Sequence, residues 1–384
     1  MEKLTNSTTS TPTVHIERLG VVFSPRGQFQ AEGVLNPAVY RDREGHLVVM
    51  MRSVAVGNQS RLEMMRQIWI DGKPATDASG NEVAFTRVGF AHVPQASYER
   101  RRRINAEGKS EFIGGEGCED ARVTFIPELD RYLMCYTSFG PLGPRISLSW
   151  SYDGYKWHRI GLLNIPAAFG LDPDDKDAAF FPESVISPSG VRSIVMYHRP
   201  MVNIAAHDGM DVVQSTLAAE PTERQCIRMA YIPLDSVLAD IKNILNVVES
   251  QLVFAPLADW GSFKCGAGTA PVRIKKGWLE VFHGVDQFPS ATRPSGYQGR
   301  YAAGIIIHDG DEPHKITYVS PEPIIKPETK EELEGIVNNV VFPTGIVERV
   351  DLGKNIGKDN EVRVFDVFYG MADRLIGRFR MTIS

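Results

Sequence analysis

NPAVYRDREGHLVVMMR (36–52) joins a short apolar segment to a strongly apolar one through a polar turn carrying Arg-Glu-Gly, and ends on a charge. Apolar runs this short, rich in Val and linked by turn-forming residues, spell a β-hairpin rather than a helix. The pattern recurs as ARVTFIPELDRYLMCYT (121–137), ESVISPSGVRSIVMYHR (183–199), APVRIKKGWLEVFHG (270–284) and GIVERVDLG…NEVRVFDVFYG (345–370). With Arg52, Tyr136, His198, His283 and Tyr369 as equivalent points, the repeats fall roughly 60 to 86 residues apart, room for a four-stranded sheet each. SWSYDGYKWHRIG (149–161), with its tight turn at Asp153-Gly154, reads as a further hairpin inside one repeat. Five such sheets set radially make an all-β, five-bladed β-propeller; a two-sheet sandwich fits the long period less well.

Two segments depart from the pattern. PLDSVLADIKNILNVVESQ (233–251) places Leu234, Val237, Leu238, Ile241, Leu245 and Val248 at helical spacing behind Asp235 as N-cap, which predicts one helix over 233–251 on the side of the propeller. Residues 58–115 read as a long insertion containing the run Arg100, Arg101, Arg102, Arg103, either a solvated face or the border of an anionic substrate or subunit contact. The polar stretch 1–13 reads as a disordered tail without a signal-peptide core, leaving 14–384 as a single catalytic domain.

The 384 residues are 43% hydrophobic and 23% charged, with a formal net charge of -5, ordinary for a globular chain and against a nucleic-acid binder. No apolar run approaches the ~20 residues that span a bilayer, so no membrane partner is expected. Cys118, Cys135, Cys226 and Cys265 form no CxxC pair, which reads as reduced thiols in a cytoplasmic protein. No glycine-rich nucleotide loop and no clustered metal ligands occur, so neither cofactor nor metal is implied; HDGDEPH (308–314) reads as a surface turn.

Strand ends of the repeats share a chemistry. Arg52 closes the first, His198-Arg199 the third and His283-Gly284 the fourth, while Tyr369-Gly370 and Asp373 follow the fifth. GGEGCEDARV (114–123) and DDKDAAFFPE (174–183) lead into the second and third. Cations recurring beside few carboxylates suit an anion together with a polyhydroxylated ligand, since a guanidinium fork donates two hydrogen bonds to phosphate. Of the adjacent Glu119 and Asp120, only one should face the axis on an extended strand; a structural turn with a salt bridge to Arg122 is the bland reading of the pair.

Together NPAV with MMR (36–52), GGEGCEDARV, PRISLSWSYDG (144–154), KDAAFFPE (176–183), MYHRP (196–200), KCGAGTAPV with GWLEVFHGVD (264–286), NVVFPTG (339–345) and VFYGMAD (367–373) resemble family 130 of the glycoside hydrolases, the β-mannoside phosphorylases and mannosidases. The resemblance runs from Asn36 to the end and implies that family's five-bladed propeller. It also implies Asp120 as general acid, acting through the mannose 3-hydroxyl while phosphate attacks C1 with inversion to give α-mannose 1-phosphate. Arg52, Arg145, Lys176, Arg199 and His283 match its phosphate-binding residues. Asn36, Asp177 and Asp373 look like mannose-hydroxyl ligands, with Asp286 and Tyr369 as walls. Ala121 stands where the family usually has proline, which frees the backbone after Asp120.

The expected function is therefore an inverting β-mannoside phosphorylase, with a β-mannosyl oligosaccharide and inorganic phosphate as substrates and no cofactor. A β-mannosidase of the same family, an unrelated propeller glycosidase and a non-catalytic sugar-binding propeller are the rivals. A hydrolase would need a second carboxylate about 6.5–9.5 Å from the acid to activate water. The resemblance also admits a homo-oligomer. Linkage and acceptor are not written in these motifs.

Overall fold

In the computed structural model each hairpin of the repeated pattern is present, and further strands extend it into a four-stranded antiparallel meander. The structure describes residues 11–76, 84–100, 102–112, 114–206, 209–256, 259–288, 299–352, 354–356 and 360–384. The first meander runs Gly33–Arg41, Leu47–Ala55, Gln59–Gln67, Phe85–His92. The second runs Glu116–Ile126, Arg131–Gly140, Gly143–Ser151, His158–Leu162. Asp175–Phe180, Arg192–Pro200, Ile227–Pro233 and Glu249–Phe254 make the third. Lys264–Gly266, Gly277–Asp286, Arg300–His308 and Ile316–Val319 make the fourth. The fifth takes Val341–Glu348, Asn360–Met371 and Leu375–Ile383, and borrows its last strand, Val14–Phe23, from the beginning of the chain.

Five apolar clusters lie between consecutive meanders. Tyr40, Met50 and Met64 pack with Val123 and Tyr136 between the first and second. Leu133 and Ile146 meet Phe180, Met196 and Ile232 between the second and third. Phe181, Tyr197 and Met229 meet Trp278 and Phe282 in the next, and Leu279, Val281 and Ile305 meet Phe365 and Val367 in the one after. The last cluster returns to the start, with Phe368 and Ile376 against Val34, Val49 and Met51. Each sheet thus buries both faces, which is why the strands read as continuous apolar runs such as VVMM and SIVMYH rather than alternating with polar residues.

The helix expected over 233–251 is broken. It is a short helix, Leu234–Ala239, followed by a 3₁₀ turn, Ile241–Leu245, and Glu249 already belongs to the next strand. Asp240 is extended (φ -152°, ψ 123°) and its side chain accepts from the Lys242 amide, so the break comes from a side chain competing with the helix for backbone donors. Pro233, not Asp235, occupies the N-cap. Of the residues expected on the helix's apolar face, Leu234 and Val237 are buried and Ile241 and Leu245 partly buried against the cluster between the second and third meanders, whereas Leu238 and Val248 are exposed; past the break Ile244 and Val247 take the buried positions instead.

The 58–115 segment is also not one insertion. Gln59–Gln67 and Phe85–His92 are the third and fourth strands of the first meander. Among the described residues, what remains includes two small hairpins, Trp69–Ile70 with Lys73–Pro74 and Arg102–Ile104 with Ser110–Phe112, and a turn in which the buried Glu99 accepts from Arg159 and from the amides of Gln95 and Ala96. In the arginine run, Arg101 lies outside the described residues. So do residues 1–10 of the expected tail, whereas Thr13 exchanges hydrogen bonds with Ser384 at 3.0 and 3.1 Å. Among the described residues no helix is long and apolar enough to cross a membrane.

Candidate active site

The first strands of the first three meanders share one irregularity. Register slips between Leu35 and Ala38, between Glu119 and Arg122, and between Lys176 and Ala179. Within these bulges Asn36, Asp120 and Asp177 take left-handed φ values of 46°, 50° and 55°. Such a conformation costs about 1–3 kcal/mol per non-glycine residue and persists where surrounding contacts over-determine it. Each bulge re-aims a polar side chain.

Around Asp120 these side chains form one network. Asn36 Nδ2 donates to Asp120 Oδ1 at 3.0 Å, and Arg52 Nη1 donates to the same oxygen at 3.3 Å. The other arm of Arg52, Nη2, donates to Glu119 Oε1 at 3.0 Å, and its Nε to Ser60 Oγ at 2.8 Å. Lys176 Nζ stands 3.6 Å from Glu119 Oε2. Glu119 and Asp120 therefore share one guanidinium, against the expectation that only one faces inward; the bulge and positive φ at Asp120 cancel the strand alternation. Nor does either side chain pair with Arg122.

Asp373 joins the group electrostatically. Burial pushes its carboxyl up to about 6, and the charges of Asp120 and Glu119 push the same way against the opposing pull of Arg52 and Lys176. Gly370 makes the close packing here feasible, since a Cβ on it would sit 2.2 Å from Asn36 Oδ1.

A second network surrounds Asp177. Arg199 Nε donates to its Oδ2 at 2.6 Å, His283 Nε2 lies 3.5 Å from that oxygen, and Arg122 Nη2 lies 3.6 Å from Oδ1. Burial would raise the Asp177 carboxyl, but Arg199, His283 and Arg122 together hold it well below the usual carboxylate range. Expected as a sugar-hydroxyl ligand, Asp177 thus sits among basic groups, with Arg199 and His283 at one oxygen and Arg122 at the other.

His283 departs from expectation too. Burial lowers its imidazole to about 3, Asp177 offsets this only in part, and Arg199, Arg122 and Lys264 lower it further. It is a neutral ring, able to donate one N–H, and not a cation. The group packs against bare backbone: a Cβ on Gly266 would lie 2.4 Å from Asp177 Oδ2, 2.6 Å from His283 Cε1 and 2.8 Å from Arg199 Nε. Gln225, which no sequence signal pointed to, accepts from Arg199 Nη1.

The remaining expected residues divide. Arg145 is partly exposed and paired with Asp174 rather than joined to either network. Asp286 accepts from Arg300 Nη2 at 2.5 Å, again a separate pair. Tyr369 is fully buried in the cluster between the fourth and fifth meanders, and its hydroxyl donates to Glu332 Oε1 at 2.7 Å. It offers no surface to a ligand, because its neighbour Gly370 occupies the side facing Asn36. In HDGDEPH, His308 is buried and Asp309 caps the turn through the amides of Asp311 and Glu312. Asp42, Glu44 and His46 are close enough to hold an ion, but Asp42 is already engaged as a turn cap and by Tyr155.

The site is thus two adjoining networks of opposite balance. Glu119, Asp120 and Asp373 outnumber Arg52 and Lys176, whereas two guanidiniums, Arg122 and Arg199, converge on Asp177, with Asp175 shared between the Arg199 amide and His198. The first suits a neutral polyol and a proton to be moved; the second suits an anion.

Comparison with known proteins gives the following. The glycoside hydrolase family 130 model, described as beta-1,4-mannooligosaccharide phosphorylase, matches residues 16–384. A 1,2-beta-oligomannan phosphorylase of Thermoanaerobacter sp. (strain X514) is 28% identical over 267 residues, 68% of this chain and 67% of that protein. The Beta-1,4-mannooligosaccharide phosphorylase of Ruminococcus albus is 31% identical over a shorter stretch of 136 residues, 35% of this chain and 36% of its own. Among solved structures, the Listeria innocua beta-1,2-mannobiose phosphorylase in complex with beta-1,2-mannobiose superimposes with a TM-score of 0.61 at 17% identity, covering 95% of this chain and 96% of its own. A family member described among glycoside hydrolases that target beta-1,2 mannosidic linkages in Candida mannan gives 0.60 at 20% identity, over 96% and 93%. At these identities the structural likeness speaks for the fold alone.

Proposed function

This chain belongs to glycoside hydrolase family 130, and from that premise we propose that it is an inverting β-mannoside phosphorylase. In the proposed reaction a phosphate oxygen forms a bond to mannosyl C1 as the C1–O bond to the acceptor breaks. The leaving oxygen takes a proton that Asp120 supplies through the mannose 3-hydroxyl, and the products are α-mannose 1-phosphate and a shortened acceptor. We read the five meanders, with a core between each consecutive pair, as the blades of a five-bladed propeller whose axis holds the site. Four free, buried thiols fit the reducing cytoplasm in which we place the enzyme.

The observation that carries the choice of nucleophile is the gathering of Arg199 and His283 at Asp177, with the buried Arg122 behind that carboxylate. We read the two guanidiniums and the neutral donor on that side as the groups that would receive a phosphate dianion. Arg52 and Lys176, tied together by Glu119, border it from the acid-rich side. Asp373, whose carboxyl burial raises to about 6, we read as a contact for a sugar hydroxyl on the acid-rich side.

The second reading is hydrolysis. It draws on Glu119 and Asp373, extra carboxylates near Asp120 of the kind an inverting hydrolase needs, and on the relatives that act on mannan with water. Mannose 1-phosphate release from a β-mannoside panel, measured with and without phosphate, decides between the two. Phosphate-dependent release is expected; equal release of free mannose in both arms refutes the phosphorylase. Reverse synthesis from α-mannose 1-phosphate with an acceptor panel then identifies the linkage.

A further inference from the structure

Arg122 is 2% exposed, and its guanidinium reaches away from its own strand to the other meanders. Nε donates to the carbonyl of Gly268 at 3.0 Å and Nη2 to that of Ala267 at 3.1 Å, both where the first strand of the fourth meander is interrupted. Nη1 donates at 3.1 Å to the carbonyl of Asp120, the residue in the left-handed bulge. Nη2 also stands 3.6 Å from Asp177 on the third meander, and the guanidinium carbon lies 5.8 Å from the Phe342 ring centroid of the fifth.

A buried guanidinium is stable only when its donors are satisfied in fixed directions, which makes it a rigid template for the acceptors around it. The acceptors here are the backbone of the Asp120 bulge and the carboxylate that orients Arg199 and His283. Gly268 is held from its other side as well, its amide donating to the buried Glu280 Oε1 at 3.2 Å. A side chain at 268 is excluded, because a Cβ would lie 2.1 Å from the Val281 carbonyl. Ala121 adds no ring to fix the backbone beside Asp120, so the carbonyl bond from Arg122 bears on that turn directly.

We infer that Arg122 is a positioning residue: it fixes the bulge that aims Asp120 and, through Asp177, the groups on the anion side. What Asp120 then does rests on the phosphorylase reading; what Arg122 does rests on these contacts. The two halves of the site, one for the proton and one for phosphate, are registered against each other by one side chain that touches neither substrate.

The test is steady-state phosphorolysis by Arg122→Lys and Arg122→Ala beside wild type, with Tm for each. Lysine keeps the charge, but its three donors radiate from one nitrogen and cannot reproduce the flat fork whose three nitrogens reach these carbonyls. Arg122→Lys is expected to lose at least about tenfold in kcat with the KM for the mannoside changed by less than about threefold, as misplacement of a reacting group predicts. Added guanidinium ion should restore part of the kcat of Arg122→Ala, and ammonium should not. Wild-type kcat in Arg122→Lys overturns the inference, as do losses that follow the folded fraction without guanidinium rescue. Should Arg122→Ala fail to fold, Arg122→Lys decides alone. If wild type makes no mannose 1-phosphate, the functional reading fails separately. Arg122 is then judged on the crystal structure of Arg122→Lys: an unmoved Asp120 bulge with its Asn36 contact intact overturns it, and a displaced one supports it.

Discussion

Asn36 and Asp120 stand on different meanders, yet the amide of one donates to the carboxylate of the other at 3.0 Å, and both hold left-handed backbone to do so. The contact joins the first bulge to the second and directs both the Asn36 amide and Arg52 onto one oxygen of Asp120, Oδ1.

Removing that donor should disable turnover before it harms the fold. Asn36→Gly keeps a residue that accepts φ of 46° and deletes the amide. We expect kcat/KM to fall about ten- to a hundredfold, in line with ~1.5–3 kcal/mol for a hydrogen bond to a charged group. Tm should change little. Asn36→Ala should lose the same activity and also destabilise, since alanine resists that φ.

Asp120→Asn leaves the shape and removes the acid. Kinetics with a β-mannoside and phosphate should show kcat reduced by about 10²–10⁴-fold, the range for a general acid. Phosphate should still raise the Tm of the variant, because the cations around Asp177 are intact. An unchanged kcat would take the acid's role away from Asp120.

Gly266→Ala tests the anion side by steric means alone, since its Cβ would intrude on Asp177, His283 and Arg199 together. The expected signature is a KM for phosphate raised more than about tenfold, with the KM for the mannoside nearly unchanged, because binding of one co-substrate is lost. Equal effects on both would mean that the two networks do not divide the substrates.

The raised carboxyl of Asp373 has a consequence for stability. A folded value of about 6 lies above the ordinary carboxylate value of 3.8, so the native state binds more protons than the unfolded chain between the two. Stability from this group is therefore present at pH 4 and declines as pH rises through 6. Against Asp373→Asn, wild type should lose on the order of 2 kcal/mol over that window and stay parallel above it. Chemical denaturation at a series of pH values measures the difference.

Much of the fold was legible because its signals are local. VVMM before Arg52 and SIVMYH before Arg199 are runs that only a strand buried on both faces explains, and the turns between them carry Gly, Pro and Asp. Competition between local signals was not legible: Asp240 ends a helix that the apolar spacing alone would continue. Charges in RLEMMRQ (61–67) masked a strand of the first meander as part of an insertion. At the site, residue types were readable and directions were not. Asn and Asp tolerate left-handed φ, but nothing marks Asn36, Asp120 and Asp177 as bulge residues. One position separates Tyr369, turned into the core, from Gly370 beside Asn36. His283 reads as a cation until its burial is known. The sequence offers Arg122 only as a salt-bridge partner for Glu119 or Asp120, because most of its actual partners are main-chain carbonyls, which every residue has.

The strand Val14–Phe23 lies beside Leu375–Ile383, so a strand made early in translation completes a sheet with one made much later. At roughly 5–20 residues per second its partner follows only after tens of seconds. Until then Gly370 and Asp373, which flank Asn36 and Asp120, are not in place. A nascent chain that stops short of Leu375 thus lacks the strand that joins both neighbours in the fifth sheet, and the candidate site waits on it. A circular permutant that opens the chain between two meanders and links residues 14 and 384 would move that moment earlier without altering any side chain at the centre.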